Sequence, residues 1–137
     1  MAVDARYLLD TNTLSDFIRN PGGRVSRRLA VVGEAMVCTS IIVACELRYG
    51  AAKKGSPRLE ERVDQLLSSL EILPLDREAD RHYAEVRALL SRTGETIGPN
   101  DLLIAAHALA LDLTLVTNNV REFARIPGLA FENWLES

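Results

Sequence analysis

The chain has 137 residues, 47% hydrophobic and 26% charged, with a net charge of −3. That length suits one domain (1–137) around one core, and the composition excludes a disordered or fibrous chain. No apolar run reaches the roughly 18 residues that span a bilayer, and MAVDARYLLD has no basic region ahead of a long apolar stretch, so a soluble cytoplasmic protein is expected.

Tyr7–Leu9 is a short apolar run ending at Asp10 and reads as a strand. Asn12 or Thr11 is the expected cap of a helix over Leu14 to Arg19. Asn20-Pro21-Gly22-Gly23 breaks it, and a short helix from Val25 to Val32 follows. Met36 to Thr39 reads as the second strand. Thr39 or Ser40 then caps an apolar helix through Ile41, Val43, Leu47 and Tyr49, with Gly50 near its end. After the break Lys53-Lys54-Gly55-Ser56-Pro57, Leu59, Val63, Leu66, Leu67 and Leu70 recur at helical spacing. Glu71 to Leu75 reads as a third strand. A helix carrying Ala79, Tyr83, Val86 and Leu90 stops at Gly94. Asn100 is the expected cap of a nearly all-apolar helix from Leu102 to Leu111. Thr114 to Thr117 is a fourth strand, a short helix carries Phe123, and a last strand is expected near Ala130 to Glu132. Short apolar strands alternating with helices predict an α/β fold, with a central parallel sheet of four or five strands covered by helices on both faces.

Charge is unevenly distributed. Residues 1–58 hold 9 basic and 5 acidic residues, a balance of +4, and residues 59–137 hold 7 and 14, a balance of −7. Of the 16 basic residues 14 are Arg, whose planar fork suits phosphate. The cluster Arg24, Arg27 and Arg28 reads as a solvated helix face, with contact to nucleic acid as the alternative. Cys38 and Cys45 sit among apolar residues without metal-binding spacing and read as buried, inert thiols.

In an open parallel sheet, ligands bind beyond the C-terminal ends of the strands. Asp10 follows the first strand, and Asn118 and Asn119 follow the fourth. Asp101 opens the apolar helix, where an acid could equally serve the helix dipole. Glu46 stands among Val43, Ala44, Cys45 and Leu47, where an ionised carboxylate needs a partner: an ion pair, for example with Arg48, or a metal. Clustered carboxylates without His or Cys select Mg²⁺ or Mn²⁺, and such a site suits phosphodiester hydrolysis. His107 lies six residues after Asp101, on another side of the helix, and reads as structural; His82 reads as a boundary residue. Ser15 and Ser40 have no base placed beside them by the sequence, so no nucleophilic triad is supported.

The segments YLLDTNTLSDF, TSIIVACELRYGA, IGPNDLLIAAHALALDLTLVTNNVREF and PGLAFENW resemble, in order, the PIN-domain ribonucleases, and among them the VapC toxins of bacterial toxin–antitoxin pairs. The resemblance implies a PIN fold and a Mg²⁺-dependent endoribonuclease, a hydrolase acting on structured RNA such as tRNA, with Mn²⁺ as a substitute. It places the metal-binding acids on Asp10, Glu46 and Asp101. The fourth position falls on Asn119, where many PIN nucleases carry Asp. Asn119 then holds a water or a phosphate oxygen, or Glu122 reaches in; Thr117 accompanies this site in look-alikes. A homodimer and a VapB-type antitoxin are implied as partners, with no membrane.

Three other readings compete. A haloacid-dehalogenase-type phosphatase needs a second Asp where Asn12 stands, and a later Lys where the chain offers only Lys53 and Lys54. A receiver domain needs an acidic pair at Asp10 and a Lys after Asn119, and has neither. A catalytically inactive PIN-like binding module is set against the intact Asp10, Glu46 and Asp101.

Overall fold

A computed structural model describes residues 5–136. The remaining residues of the expected 1–137 domain, including the first four of the N-terminal segment, lie outside the described residues. Five strands, β1 (Tyr7–Leu9), β2 (Val37–Ser40), β3 (Glu71–Leu73), β4 (Thr114–Val116) and β5 (Phe131–Glu132), form one sheet in the order β3-β2-β1-β4-β5. Every pairing is parallel. Seven helices connect them: α1 (Thr11–Arg19), α2 (Arg24–Val32), α3 (Ile41–Lys54), α4 (Pro57–Ser69), α5 (Ala79–Thr93), α6 (Pro99–Leu111) and α7 (Val120–Phe123). The three central strands are nearly all buried, so they carry apolar runs without alternation.

The chain steps outward from β1 to β2 to β3, then returns across β1 to β4 and β5. Crossovers running in opposite directions cover opposite faces, because each is right-handed. The reversal opens a crevice between the C-terminal ends of β1 and β4, where α/β sheets bind ligands. Buried hydroxyls brace this point. Thr13 Oγ1 donates to the Val116 carbonyl (3.1 Å), and Thr39 Oγ1 to the Leu9 carbonyl (2.7 Å).

Several local expectations are corrected. Asp10, not Thr11 or Asn12, caps α1: its carboxylate accepts the Thr13 N–H (3.0 Å). Three consecutive residues there can cap, and the strand's length decides between them. Asn100 does not cap α6, which begins one residue earlier at Pro99 after Gly98. Gly50 lies inside α3, which runs on to Lys54 and ends at Gly55 in the left-handed region. Its apolar packing outweighs the roughly 1 kcal/mol that one internal glycine costs. Cys38 is buried, but Cys45 is exposed, on a stripe of α3 with Ile41 and Tyr49. A helix apolar on nearly all sides leaves the sequence no face to read.

Glu78 stands at φ 80°, ψ −35°, third in the turn Asp76–Ala79 that the Ala79 N–H closes onto the Asp76 carbonyl (3.3 Å). That position of a type II turn favours glycine. A non-glycine residue there costs roughly 1–2 kcal/mol, partly offset by glycine's greater chain entropy. Glu78→Gly is therefore expected to stabilise the fold by about 0.5–1 kcal/mol, raising the thermal midpoint by a few degrees. A lower midpoint in a melting experiment would contradict this.

Candidate active site

Four carboxylates from four segments are arranged around the crevice. Asp10 sits at the junction of β1 and α1, its N–H bonded to the Val116 carbonyl (3.0 Å) and its side chain 5% exposed. Burial raises its pKa, and the charge of Glu46 adds to the rise; hydrogen bonds from Thr117 and Thr13 oppose it. Glu46, half-buried near the end of the second turn of α3, accepts the Thr11 hydroxyl on Oε1 (2.5 Å) and the Asn100 amide on Oε2 (3.2 Å). Arg48 does not pair with it. That guanidinium reaches Asp64 on α4 (2.6 Å) instead, because it lies on the exposed side of α3.

Asp101 lies in the first turn of α6. Its pKa is pushed up to about 7, first by burial, then by a hydrogen bond with Glu122 and the charges of Glu122, Glu46 and Asp10. Asp101 thus feels the charges of all three other acids. Glu122, on α7, accepts the Gly98 N–H on Oε1 (3.2 Å) and the Asn119 amide on Oε2 (2.8 Å). The neutral Asn119 thus orients a carboxylate that an Asp in its place would repel. Glu122 lies within hydrogen-bonding reach of Asp101. Glu122 carries little sequence signal of its own: it stands three residues after Asn119 in a four-residue helix. Thr117 is buried and accepts the Asn119 N–H (3.0 Å). At the rim the Asn12 amide donates to Asn118 (3.3 Å).

Among the described residues, none of the four acids forms an ion pair with Arg, Lys or His. No three His, Cys, Asp or Glu side chains among them are drawn together into a ready metal cage. The site is therefore a set of mutually repelling oxygens, tied back by Thr11, Thr13, Asn100 and Asn119 rather than collapsed on a centre.

Ser40, unlike the sequence expectation, has a base beside it. Its Oγ lies 2.8 Å from His107 Nδ1. The same Oγ accepts the Ile42 N–H (3.1 Å) to cap α3, so the hydroxyl proton is free for Nδ1. Nε2 then carries the ring proton and faces the Pro74 carbonyl without a well-formed hydrogen bond. Ser40 and His107 are 0% and 1% exposed, closed to any substrate. Ser40→Ala removes a cap and strands a buried imidazole, with an expected loss of about 2–3 kcal/mol. Activity per folded molecule should stay unchanged; loss of activity without loss of stability would instead make Ser40 a nucleophile.

The family model described as "PIN domain" matches residues 7–129. The chain belongs to the PIN-domain family. Its PIN-domain relatives include the "tRNA(fMet)-specific endonuclease VapC" of Salmonella typhimurium, 41% identical over 130 residues that cover 94% of this chain and 98% of the relative. "Ribonuclease VapC2" of Rickettsia felis is also 41% identical, covering 93% and 97%. Among solved structures, VapBC2 from Rickettsia felis bound to a promoter DNA fragment superposes with a TM-score of 0.87 at 40% identity, covering 93% of this chain and 98% of that one. A member of the VapBC family of toxin–antitoxin systems from Mycobacterium tuberculosis gives 0.67 at 29% identity, covering 95% and 97%. These superpositions bear out the PIN fold that the resemblance in the sequence implies, here with a parallel sheet of five strands.

Proposed function

We propose that this PIN-domain chain is the toxin of a toxin–antitoxin pair, a metal-dependent endoribonuclease that hydrolyses phosphodiester bonds in structured RNA such as tRNA. The observation that carries this reading is the set of carboxylates at the β1–β4 crevice: Asp10, Glu46, Asp101 and Glu122 approach one another with no cation of the protein among them. The donor set fits a hard divalent ion, all oxygen and without His or Cys, and Mg²⁺ with Mn²⁺ as substitute is the match. Asp10, Glu46 and Asp101 would hold it. When bound, such an ion lowers the pKa of water and stabilises charge on a phosphoryl oxygen.

The chain's own groups prepare the place. Asp10 is fixed by burial and by the Thr13 N–H, so its carboxylate has little freedom to turn. Thr11 and Asn100 hold Glu46 from two sides, and Asn119 and Gly98 hold Glu122. Asn119 therefore acts through Glu122, as a positioning residue. Asn12 and Asn118 leave donors and acceptors at the rim for a nucleotide. A VapB-type antitoxin is the proposed partner, a homodimer the proposed assembly and the cytoplasm the proposed location. No helix among the described residues is long and apolar enough to cross a membrane.

The test is a reaction-class comparison with Mg²⁺ present. A tRNA pool should be cut to discrete fragments, while a small phosphomonoester such as p-nitrophenyl phosphate should release no phosphate. Phosphate release with intact RNA would favour the phosphatase reading.

A further inference from the structure

A nuclease built on this site faces an electrostatic problem. Its site carries four acids, the chain has a net charge of −3, and its substrate is a polyanion. Binding strength must come from a basic surface elsewhere, because phosphate contacts dominate affinity for nucleic acids. Where α1 ends and α2 begins, a cleft of about 630 Å³ is lined by Arg19, Arg24 and Arg27. All three are exposed, and among the described residues none forms an ion pair. Arg24 donates only to the Leu135 carbonyl (3.3 Å). The one carboxylate in the lining, Asp16, is engaged by the Asn20 amide (2.7 Å). Glu132, nearby, is answered by Arg28 (3.4 Å), which lies over the Trp134 ring; Glu136 lines the adjoining hollow.

The cleft connects to the acid site. Thr11, Ser15 and Arg19 recur every four residues along one side of α1. With Glu46 and Lys54 they form the polar part of a second groove, of about 220 Å³, whose floor is the apolar Ile18, Leu47, Leu59 and Val63. Arg19 belongs to both hollows, so the track runs from Thr11 and Glu46 to the arginines over the length of α1, roughly 13 Å at 1.5 Å per residue. Apart from Pro21 and Leu135 the arginine cleft offers no apolar anchor of the kind a protein partner uses. Planar, unpaired guanidiniums match phosphate.

We infer that Arg19, Arg24 and Arg27 form an exosite that grips the RNA backbone a few nucleotides from the scissile bond. The inference rests on the nuclease reading and adds where the substrate is held. Two measurements test it. First, retention of a tRNA pool is measured against salt for Asp10→Asn protein, alone, with Arg24→Gln/Arg27→Gln, and with Arg77→Gln/Arg81→Gln as an equal charge change elsewhere. Removing two phosphate contacts should lower the slope of log K against log salt by about 1.4–1.8 and weaken low-salt binding about tenfold, with the control pair unaffected. Second, in otherwise wild-type enzyme the cleft pair should raise KM about tenfold and leave kcat unchanged, with an unaltered melting curve. An unchanged slope and KM, or equal losses in the control pair, would overturn the exosite while leaving the nuclease intact. A parent protein that neither retains nor cuts RNA would overturn both. Lost capture of poly-glutamate with RNA retention intact would reassign the cleft to an acidic protein partner.

Discussion

Replacing Asp10 with Asn is expected to abolish RNA cleavage and to leave the fold standing. The two functions of this side chain separate cleanly in that substitution. As the cap of α1, Asp10 uses one oxygen to accept the Thr13 N–H, and Asn keeps an oxygen for it. As a member of the acid site it contributes a negative charge, which Asn lacks. Activity should fall at least a hundredfold, or ~2.7 kcal/mol of transition-state stabilisation. The melting midpoint should hold or rise, because a carboxylate whose pKa is raised by burial destabilises the metal-free fold when it ionises. Asp10→Ala should lose as much activity and also about 1 kcal/mol of stability, through the missing cap. A midpoint that collapses for Asn as well would mean that Asp10 is structural first.

Metal-free protein is expected to lose stability at its acid site as the pH rises, contrary to the usual behaviour of paired carboxylates. Asp101 titrates at about 7 in the fold against 3.8 for the free side chain, so the folded state binds the proton more tightly. The stabilisation is complete below about pH 4 and is lost as the pH climbs through 7. Allowing for solvent screening of a partly exposed group, its size is on the order of 1–2 kcal/mol. Asp10 adds to the same slope. His107 opposes it: burial lowers its pKa from 6.5, so stability is present above that value and falls as the pH drops below it. The clean observable is therefore the stability difference between wild type and Asp101→Asn in chelator from pH 4 to pH 8. The two should be nearly equal near pH 4, and wild type should fall steadily behind Asp101→Asn as the pH rises, while a flat difference would contradict the repulsion among the acids. At neutral pH, Mg²⁺ at a hundred times its Kd should restore about 2.7 kcal/mol to wild type.

Much of this architecture is written locally. Short apolar strands followed by capped helices announce a parallel sheet, and Asp10 and Asn119 fall at the ends of β1 and β4 because of that alternation. Glu46 stands out because an acid in so apolar a helix demands an explanation. What the sequence hides depends on contacts across the chain. The meeting of Glu122 with Asp101 and of Asn100 with Glu46 joins segments 21 and 54 residues apart, and no periodicity encodes it. The facing of Cys45 and the burial of Ser40 beside His107 are hidden for the same reason: α3 and α6 are apolar on too many sides to reveal which way a residue points. The cap of α1 fails differently, since Asp10, Thr11 and Asn12 can all serve and only the end of β1 chooses.

The measurement that bears most directly on the carboxylate site is cleavage of a total RNA pool by purified, antitoxin-free protein. Four parallel reactions suffice: with Mg²⁺, with EDTA, with EDTA followed by Mn²⁺, and with Asp10→Asn in Mg²⁺. Discrete fragments that vanish with EDTA, return with Mn²⁺ and never appear with Asp10→Asn are the predicted result. Fragments that persist in EDTA, or that Asp10→Asn still produces at the wild-type rate, would contradict a metal-dependent nuclease built on Asp10, Glu46 and Asp101.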